Sequence, residues 1–295
     1  MRARPMVVLS LVAGFSSAVS PVIGAEPRKS ELLRIAIQDE AITPVTARFL
    51  ERVLLEAEQT NAECLLIELD TPGGLLQSTQ QIVRAILASR VPVVVYVSPS
   101  GGRAASAGLF ITLSSHVAAM APGTRIGAAH PVQFGGLPIG PQQPPNEPVD
   151  EKTTLGPSAM EEKLVNDTEA WARGLAKLRG RNQQWVATAV TESRVLLASE
   201  AVQQGIVELE AVDLGDLLEQ LDGRKIFIGD TDVSLRTEDA KVRTLEMWWG
   251  EQFLAVVSNP NVVMLLLMFG VYGILFELYS PGSVSYTHLT LPTTC

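Results

Sequence analysis

Two glycine-marked turns carry the side chains of this sequence that are best suited to chemistry. Residues 70–74 read Asp-Thr-Pro-Gly-Gly and residues 101–108 read Gly-Gly-Arg-Ala-Ala-Ser-Ala-Gly, and each turn follows a short apolar run. Ser106 in the second turn is a candidate nucleophile, because at a strand-to-helix turn its hydroxyl would have little steric cover. A small residue that lets a helix pack tightly gives the same pattern, and the residues alone leave both interpretations open.

Backbone N–H groups near this serine are candidate donors to an oxyanion. A nucleophile that attacks a carbonyl needs such donors at the position where negative charge develops. The N–H groups of Gly73, Gly74 and Ala107 would face that position if the two turns meet. The sequence therefore predicts an oxyanion hole built from both turns.

The base that would activate Ser106 is harder to identify from the residues. Lys163 falls at the boundary between the apolar stripe and the polar face of a predicted helix. A partly buried amine would stay partly neutral and could accept a proton. A lysine whose stem packs along a helix edge while its amine stays in water has the same spacing, so this alternative also stays open.

Short apolar runs alternate with amphipathic segments, which predicts an α/β domain with a largely parallel sheet. The runs 64–69 and 91–97 have the leucine-rich and β-branched composition of strands that are buried on both faces. Both glycine turns would then open at one edge of the sheet. The other predicted elements are strands over 31–37, 116–120 and 225–236, and helices over 43–58 and 75–89, from near Ala104, over 158–180 and from Ser199 to Gly205.

Segments of different composition flank this α/β domain. The predicted segments are a signal peptide over 1–25, the α/β domain over 30–240 with a proline-rich flexible loop over 134–157, a linker helix over 241–260, a transmembrane segment over 261–279, and a truncated or foreign tail over 283–295. Two arginines before an apolar stretch are typical of a signal peptide. The second apolar run is short for a span of about 20 residues, so a buried core helix is its alternative.

The overall charge argues against one class of partner. The net charge is −9, whereas nucleic-acid-binding domains are typically basic, so we expect no nucleic-acid partner. The two cysteines, Cys64 in a predicted strand and Cys295 at the end, give no disulfide framework and indicate no compartment.

Four motifs in this order resemble the NfeD family of membrane-bound serine proteases. They are Asp-Thr-Pro-Gly-Gly at 70–74, Ala-Ser-Ala-Gly at 105–108, Pro-Gly-Thr-Arg-Ile-Gly-Ala-Ala at 122–129 and Gly-Arg-Asn at 180–182. The resemblance covers roughly residues 30–282. It implies a ClpP/crotonase-like α/β fold of repeated β-β-α and β-α units, related to the signal peptide peptidase SppA and followed by a C-terminal transmembrane helix.

The resemblance also implies roles for individual residues. Ser106 and Lys163 match the Ser-Lys dyad of the family, and Gly73, Gly74 and Ala107 match its oxyanion donors. The implied substrate is an apolar segment of a polypeptide, a stomatin-like membrane protein, and no cofactor or metal is implied. The protease domain is expected as a homodimer on the exported side, periplasmic or extracellular, of a bacterial-type cell membrane.

Two residues compete with Lys163 for the role of base. Lys152 lies in the proline-rich loop and would act only if that loop closed over the site. His130 lies in the segment that supplies the histidine of ClpP, but one residue later, which turns an extended side chain to the opposite face. We therefore expect His130 on the substrate side of the site.

Two other function classes fit parts of the sequence. A catalytically inactive membrane scaffold that organises stomatin-like partners would have the same fold. A crotonase-like acyl-CoA enzyme would also use paired backbone donors, but a signal peptide and a membrane anchor argue against it.

Overall fold

The architecture is seen in a computed structural model that describes residues 31–131, 157–229, 231–258 and 260–279. In chain order the strands are β1 (Glu31–Gln38), β2 (Cys64–Asp70), β3 (Val93–Val97), β4 (Arg103–Ala105), β5 (Val117–Met120), β6 (Arg125–Gly127), β7 (Val195–Leu197), β8 (Leu209–Glu210), β9 (Lys225–Ile228), β10 (Thr231–Ser234) and β11 (Lys241–Thr244). The helices are α1 (Pro44–Thr60), α2 (Leu76–Ala88), α3 (Ala107–Ser114), α4 (Pro157–Leu178), α5 (Gln183–Thr191), α6 (Ala198–Gln203), α7 (Leu214–Leu221), α8 (Trp249–Val257) and α9 (Pro260–Tyr279).

The main sheet has the strand order β11-β1-β2-β3-β5-β8, and every neighbouring pair is parallel. Helices cover one face, where Ile35, Ile67 and Val95 pack beneath α1 to α5. On the other face Leu66 and Val94 pack against α7 and β9. Because the central strands are buried on both faces, their sequences are continuous apolar runs.

A second, smaller sheet holds the turn that contains the candidate nucleophile. Strand β4 pairs parallel with β6, and β6 pairs antiparallel with β7. The helix predicted from near Ala104 is therefore wrong at its start, because residues 103–105 form β4 and α3 begins only at Ala107. The backbone pairing of β4 with β6 overrides the helical preference of its alanines.

The Gly-Arg-Asn motif joins two helices. Gly180 has φ +70°, and the Arg181 N–H donates to the Ala176 carbonyl at 2.7 Å, so the motif ends α4 in a Schellman turn. The Asn182 side chain then accepts from the N–H groups of Gln184 and Trp185 and caps α5. The Gly-Arg-Asn motif thus ends α4 and begins α5.

The arginine of this motif is tied to the helix that follows Ser106. The Arg181 guanidinium is buried and forms two 2.8 Å bonds to the Glu208 carboxylate. It also donates to the Thr112 carbonyl in the last turn of α3 at 2.7 Å. Arg179 donates to the neighbouring Ser114 carbonyl at 2.9 Å. The two arginines therefore hold the C-terminal end of α3 against the junction of α4 and α5.

Replacing Arg181 with alanine is expected to lower the free energy of unfolding by about 3 kcal/mol, because the Glu208 carboxylate and the α3 carbonyl lose a buried charged partner. The matched control is Arg194→Ala. Its ion pair with Glu192 has both side chains more than half exposed, so its loss should cost less than about 1 kcal/mol. Chemical denaturation of the chain in detergent measures both values, and equal losses would contradict an anchoring role for Arg181.

His116 lies beside this arginine cluster, at the far end of α3 from Ser106. Burial and the positive charges of Arg179 and Arg181 lower the pKa of His116 to about 3. Its Nδ1 accepts the Val93 N–H at 3.1 Å, as a neutral imidazole can. We conclude that His116 has a structural role.

The main sheet extends beyond the domain boundary predicted at residue 240. Residues 241–244 form β11, which pairs parallel with β1 at the sheet edge. The linker helix predicted over 241–260 is wrong over this part, and a helix begins only at Trp249. Strand β11 reads Lys-Val-Arg-Thr and has one apolar residue, which is too few for a periodic signal. Its Arg243 donates to the carboxylates of Glu31 and Glu56.

Helix α9 is exposed and apolar. Residues Val262–Tyr279 have a mean hydropathy of 2.1 and none of this stretch is buried, so within the described residues α9 is the helix long and apolar enough to cross a membrane. Within the described part of the chain no other element buries α9, as it would bury a core helix. The predicted signal peptide over 1–25, the loop over 134–157 (except Pro157) and the tail over 283–295 lie outside the described residues.

Candidate active site

The two glycine turns meet through their backbones, as the sequence predicts. The Thr71 N–H donates to the Arg103 carbonyl at 2.7 Å, and the Ala105 N–H donates to the Thr71 carbonyl at 3.1 Å. Strand β4 is therefore fastened to the first turn immediately before Ser106. This pairing fixes the distance between the candidate nucleophile and the candidate oxyanion donors.

Ser106 occupies the single residue between β4 and α3 in an uncommon backbone conformation. Its φ is 50° and its ψ is −108°, and its N–H donates to the Gly127 carbonyl at 3.0 Å. A positive φ is costly for a residue with a side chain, and such strain concentrates at functional sites. A strained serine between a strand and a helix is the geometry of a nucleophile elbow, which presents the hydroxyl outward. Among the described residues, the Ser106 hydroxyl makes no hydrogen bond.

Gly73 lies directly against the Ser106 side chain. Its φ is +128°, and a Cβ at this position would lie 2.9 Å from Ser106 Cβ and 3.3 Å from Ser106 Oγ. Glycine is required here both for its backbone conformation and for the close approach. Its N–H donates to Thr71 Oγ1 at 3.1 Å. Of the three predicted oxyanion donors, Gly73 therefore already has an acceptor in this structure.

The other two predicted donors belong to well-anchored backbone. Gly74 is bracketed by the Ile42 N–H bond to the Gly73 carbonyl at 2.8 Å and the Leu75 N–H bond to the Ile42 carbonyl at 2.9 Å. Ala107 is the first residue of α3, so its N–H has no acceptor within the helix and lies at the positive end of the helix dipole. Both positions are suited to stabilise negative charge beside Ser106.

A cleft of about 490 Å³ opens at this point. Its lining is mostly apolar, with the Ser106 hydroxyl and the His130 imidazole among its few polar groups. The lining residues are Pro72, Gly73, Gly74, Leu75, Leu76, Thr79, Ser106, Ala107, Phe110, Ala128, Ala129, His130, Pro131, Leu164 and Thr168. A cleft with these properties can hold a short apolar peptide segment over the serine.

Lys163 lies next to the cleft but does not line it. Leu164 and Thr168, one turn apart on α4, face the cleft, and Lys163 is turned about 100° from Leu164 along the helix. Its side chain is exposed, whereas the sequence predicted partial burial. Leu164 and Thr168 are the α4 residues that line the cleft, and Lys163 lies on the neighbouring, exposed face of the helix. The amine is thus not hydrogen-bonded to Ser106 here, and the rival Lys152 lies outside the described residues.

His130 is one of the residues that line the cleft. Its Nδ1 is 3.1 Å from the Val190 carbonyl oxygen. A carbonyl only accepts, so this contact assigns the proton to Nδ1. His130 therefore stays a rival to Lys163 by position.

Known proteins share this sequence and fold. Residues 32–140 match the family of NfeD1b N-terminal domains. The chain is 35% identical over 243 residues to the membrane-bound protease PH1510 of Pyrococcus horikoshii. The aligned region covers 82% of this chain and 52% of that protein. The chain spans about half the length of the curated relatives it matches.

Two solved structures of 1510-N, the stomatin-specific protease of Pyrococcus horikoshii, resemble this one. A lysine-to-alanine variant in complex with a substrate peptide has a TM-score of 0.66 and 32% identity, covering 78% of this chain and 98% of that chain. A serine-to-alanine variant has a TM-score of 0.62 and 35% identity, covering 74% and 99%. In that protein a serine and a lysine were each replaced.

Proposed function

Because the chain belongs to the NfeD family, we propose that it is a membrane-anchored serine endopeptidase with Ser106 as nucleophile and Lys163 as base. The predicted mixed α/β fold with a C-terminal apolar helix is confirmed. The observation that carries the proposal is the strained turn that holds Ser106 at the cleft, against Gly73 and at the start of α3.

In the proposed reaction the neutral amine of Lys163 accepts the Ser106 proton while Oγ attacks the peptide carbonyl. The tetrahedral adduct collapses as the peptide C–N bond breaks, and the lysine ammonium gives its proton to the leaving amine. A water molecule, deprotonated by the same amine, then hydrolyses the acyl ester and restores Ser106. The oxyanion is stabilised by the N–H groups of Gly74 and Ala107, and by that of Gly73 if it exchanges its bond to Thr71.

The position of α4 supports Lys163 as the base. Leu164 lines the same cleft as Ser106, and Lys163 is the residue before it, so the long and flexible lysine side chain starts at the edge of the cleft. Catalytic hydrogen bonds are often not formed until substrate is bound. A substrate over Leu164 would cover the lysine amine and displace its water, which favours the neutral form that a base requires.

The proposed substrate is an apolar segment of a stomatin-like membrane protein. Two features support it: the apolar lining of the cleft, and the relative 1510-N, which is specific for a stomatin homolog. The proposal includes a homodimer and a protease domain on the exported side of the membrane, both implied by the family. Helix α9 would hold that domain close to membrane-embedded substrates.

A serine-directed probe tests the nucleophile without knowledge of the substrate. The purified chain, residues 1–295, is treated with a fluorophosphonate and then assayed on a library of apolar peptides. Labelling at Ser106 together with cleavage supports the endopeptidase. A folded chain that shows neither would favour the membrane scaffold, which keeps the fold but does no chemistry.

Thr71 is expected to position the oxyanion turn for this reaction. It is buried, its hydroxyl donates to the Glu40 carbonyl at 2.6 Å, and its Oγ1 accepts the Gly73 N–H. Thr71→Val keeps the shape and removes both bonds, so we expect kcat to fall by about 10²-fold, the cost of a small misplacement of catalytic groups. Thr71→Ser keeps the hydroxyl and should retain most of the kcat. Equal rates for the valine and serine variants, measured on one peptide, would show that the hydroxyl is not needed.

A further inference from the structure

Helix α8 has an apolar outer face that no part of the described structure covers. Trp249, Phe253 and Val256, spaced by four and three residues, are 77%, 63% and 59% exposed. The Trp248 ring packs edge-on against Trp249, with ring centres 5.4 Å apart, and is also more than half exposed. Two indoles and a phenyl ring next to one another on one short helix form a large contiguous apolar surface.

The opposite side of α8 is fixed to the α/β domain. The Arg52 guanidinium on α1 donates to both oxygens of the Glu251 carboxylate at 3.1 and 2.8 Å, and to the Glu246 carbonyl at 3.3 Å. Glu251 is the single charged residue in the sequence of α8, and this contact pairs it. The orientation of the helix, and hence of its outer face, is therefore set by the domain.

The position of α8 in the chain indicates what covers its aromatic face. Helix α8 ends at Val257 and α9 begins at Pro260, so the aromatic face lies directly before the helix that can span a membrane. Tryptophan is the side chain most typical of the boundary between lipid headgroups and acyl chains. A helix with one apolar face and one paired polar face next to such a span is suited to lie in that boundary.

We propose that α8 lies in the interfacial layer of a phospholipid bilayer, with Trp248, Trp249 and Phe253 among the headgroups. The rigid contact of α8 with Arg52 then fixes the whole α/β domain against the membrane surface. The proposal rests on insertion of α9 and is independent of the peptidase chemistry. It goes beyond tethering, because a flexible tether would leave the domain free to tumble.

The sheet gives this docking a consequence for the candidate active site. Strand β11, which leads into α8, is parallel to β1 and β2, and the first glycine turn follows β2 at the same sheet edge. Two strand spacings separate β11 from β2, about 10 Å. Docking through α8 therefore holds the sheet edge that carries Gly73 and Ser106 towards the membrane.

Quenching of tryptophan fluorescence by brominated lipid tests the proposal. The full chain is reconstituted in phosphatidylcholine vesicles with and without bromine on the acyl chains. All four tryptophans lie outside α9, at positions 171, 185, 248 and 249, so the span itself contributes no signal. We expect bromine to quench the wild type, and Trp248→Phe combined with Trp249→Phe to abolish that quenching.

The matched control replaces Trp171 and Trp185 with phenylalanine. It should lose as much fluorescence to bromine as the wild type does, since both residues pack within the domain. Phenylalanine at 248 and 249 keeps an apolar ring, so the double variant still docks. Vesicle flotation reports insertion of α9 separately. A chain that floats but is not quenched has its α8 face covered by protein, such as a second copy, and overturns the proposal. A chain that does not float overturns it as well.

Discussion

Replacing Ser106 with alanine is expected to lower kcat/KM for peptide cleavage by about 10⁶-fold, the scale on which a serine protease loses its nucleophile. Among the hydroxyl side chains that line the cleft, that of Ser106 lies against Gly73 at the start of α3, whereas Thr79 and Thr168 lie on helices. The measurement is steady-state cleavage of one apolar peptide. Residual cleavage within tenfold of the wild type would move the chemistry elsewhere.

Stability distinguishes loss of the nucleophile from loss of the fold. The Ser106 hydroxyl makes no hydrogen bond with the described part of the chain, so Ser106→Ala should unfold at the same denaturant concentration as the wild type. Alanine keeps the Cβ and therefore the strain of a positive φ. Ser106→Gly removes that strain and should raise the free energy of unfolding by about 1 kcal/mol while remaining inactive.

This pair of variants tests the strained turn directly. If glycine and alanine at position 106 give equal stability, then the positive φ of Ser106 stores no strain and the nucleophile-elbow interpretation fails. If glycine is more stable, the wild type has exchanged stability for an exposed hydroxyl, as functional sites commonly do.

The elements that pack on both sides could be predicted from the sequence. Strands β2 and β3 are buried on both faces, and burial of that kind requires continuous apolar runs that are visible in any single sequence. Helix α1 could also be predicted, because its apolar positions recur at helical spacing. Thr43 is its N-cap and forms a capping box with Thr46. In these segments local preference and tertiary packing favour the same structure.

The elements held mainly by pairing could not be predicted. Strand β4 has three residues, two of them alanine, and exists because it pairs with β6 and with Thr71. Strand β11 is a four-residue edge strand whose one apolar residue is Val242. Neither is long enough to show a period of two, so only the folded partner defines them.

The candidate site was predictable in part for the same reason. Glycines after two successive buried strands indicate two turns at one sheet edge, and the structure joins them there. The Ser106 N–H donates to the carbonyl of Gly127 in β6, a partner that the local sequence around Ser106 does not indicate. The anchoring role of Arg181 depends on Thr112, 69 residues away, so the motif was visible but its partners were not.

Replacing Lys163 with alanine is expected to lower kcat by about 10³-fold, within the range attributed to a positioned general base. Its side chain is exposed and forms no hydrogen bond or ion pair with the described residues, so the free energy of unfolding should change by less than about 0.5 kcal/mol. Lys163→Arg should be as inactive as alanine, because a guanidinium keeps the charge but does not lose its proton. The rate of fluorophosphonate labelling at Ser106 should fall in parallel with kcat.

Two control variants test whether Lys163 acts as a general base or only as a positive charge near the cleft. Lys177 lies in the last turn of the same helix, so Lys177→Ala removes an equal charge far from the cleft and should leave kcat unchanged. His130→Ala tests the rival in the cleft lining. If His130→Ala removes cleavage while Lys163→Ala does not, the imidazole is the base and the lysine is a surface residue. If arginine at 163 restores cleavage that alanine loses, the positive charge acts on the substrate, and proton transfer from Ser106 must have another acceptor.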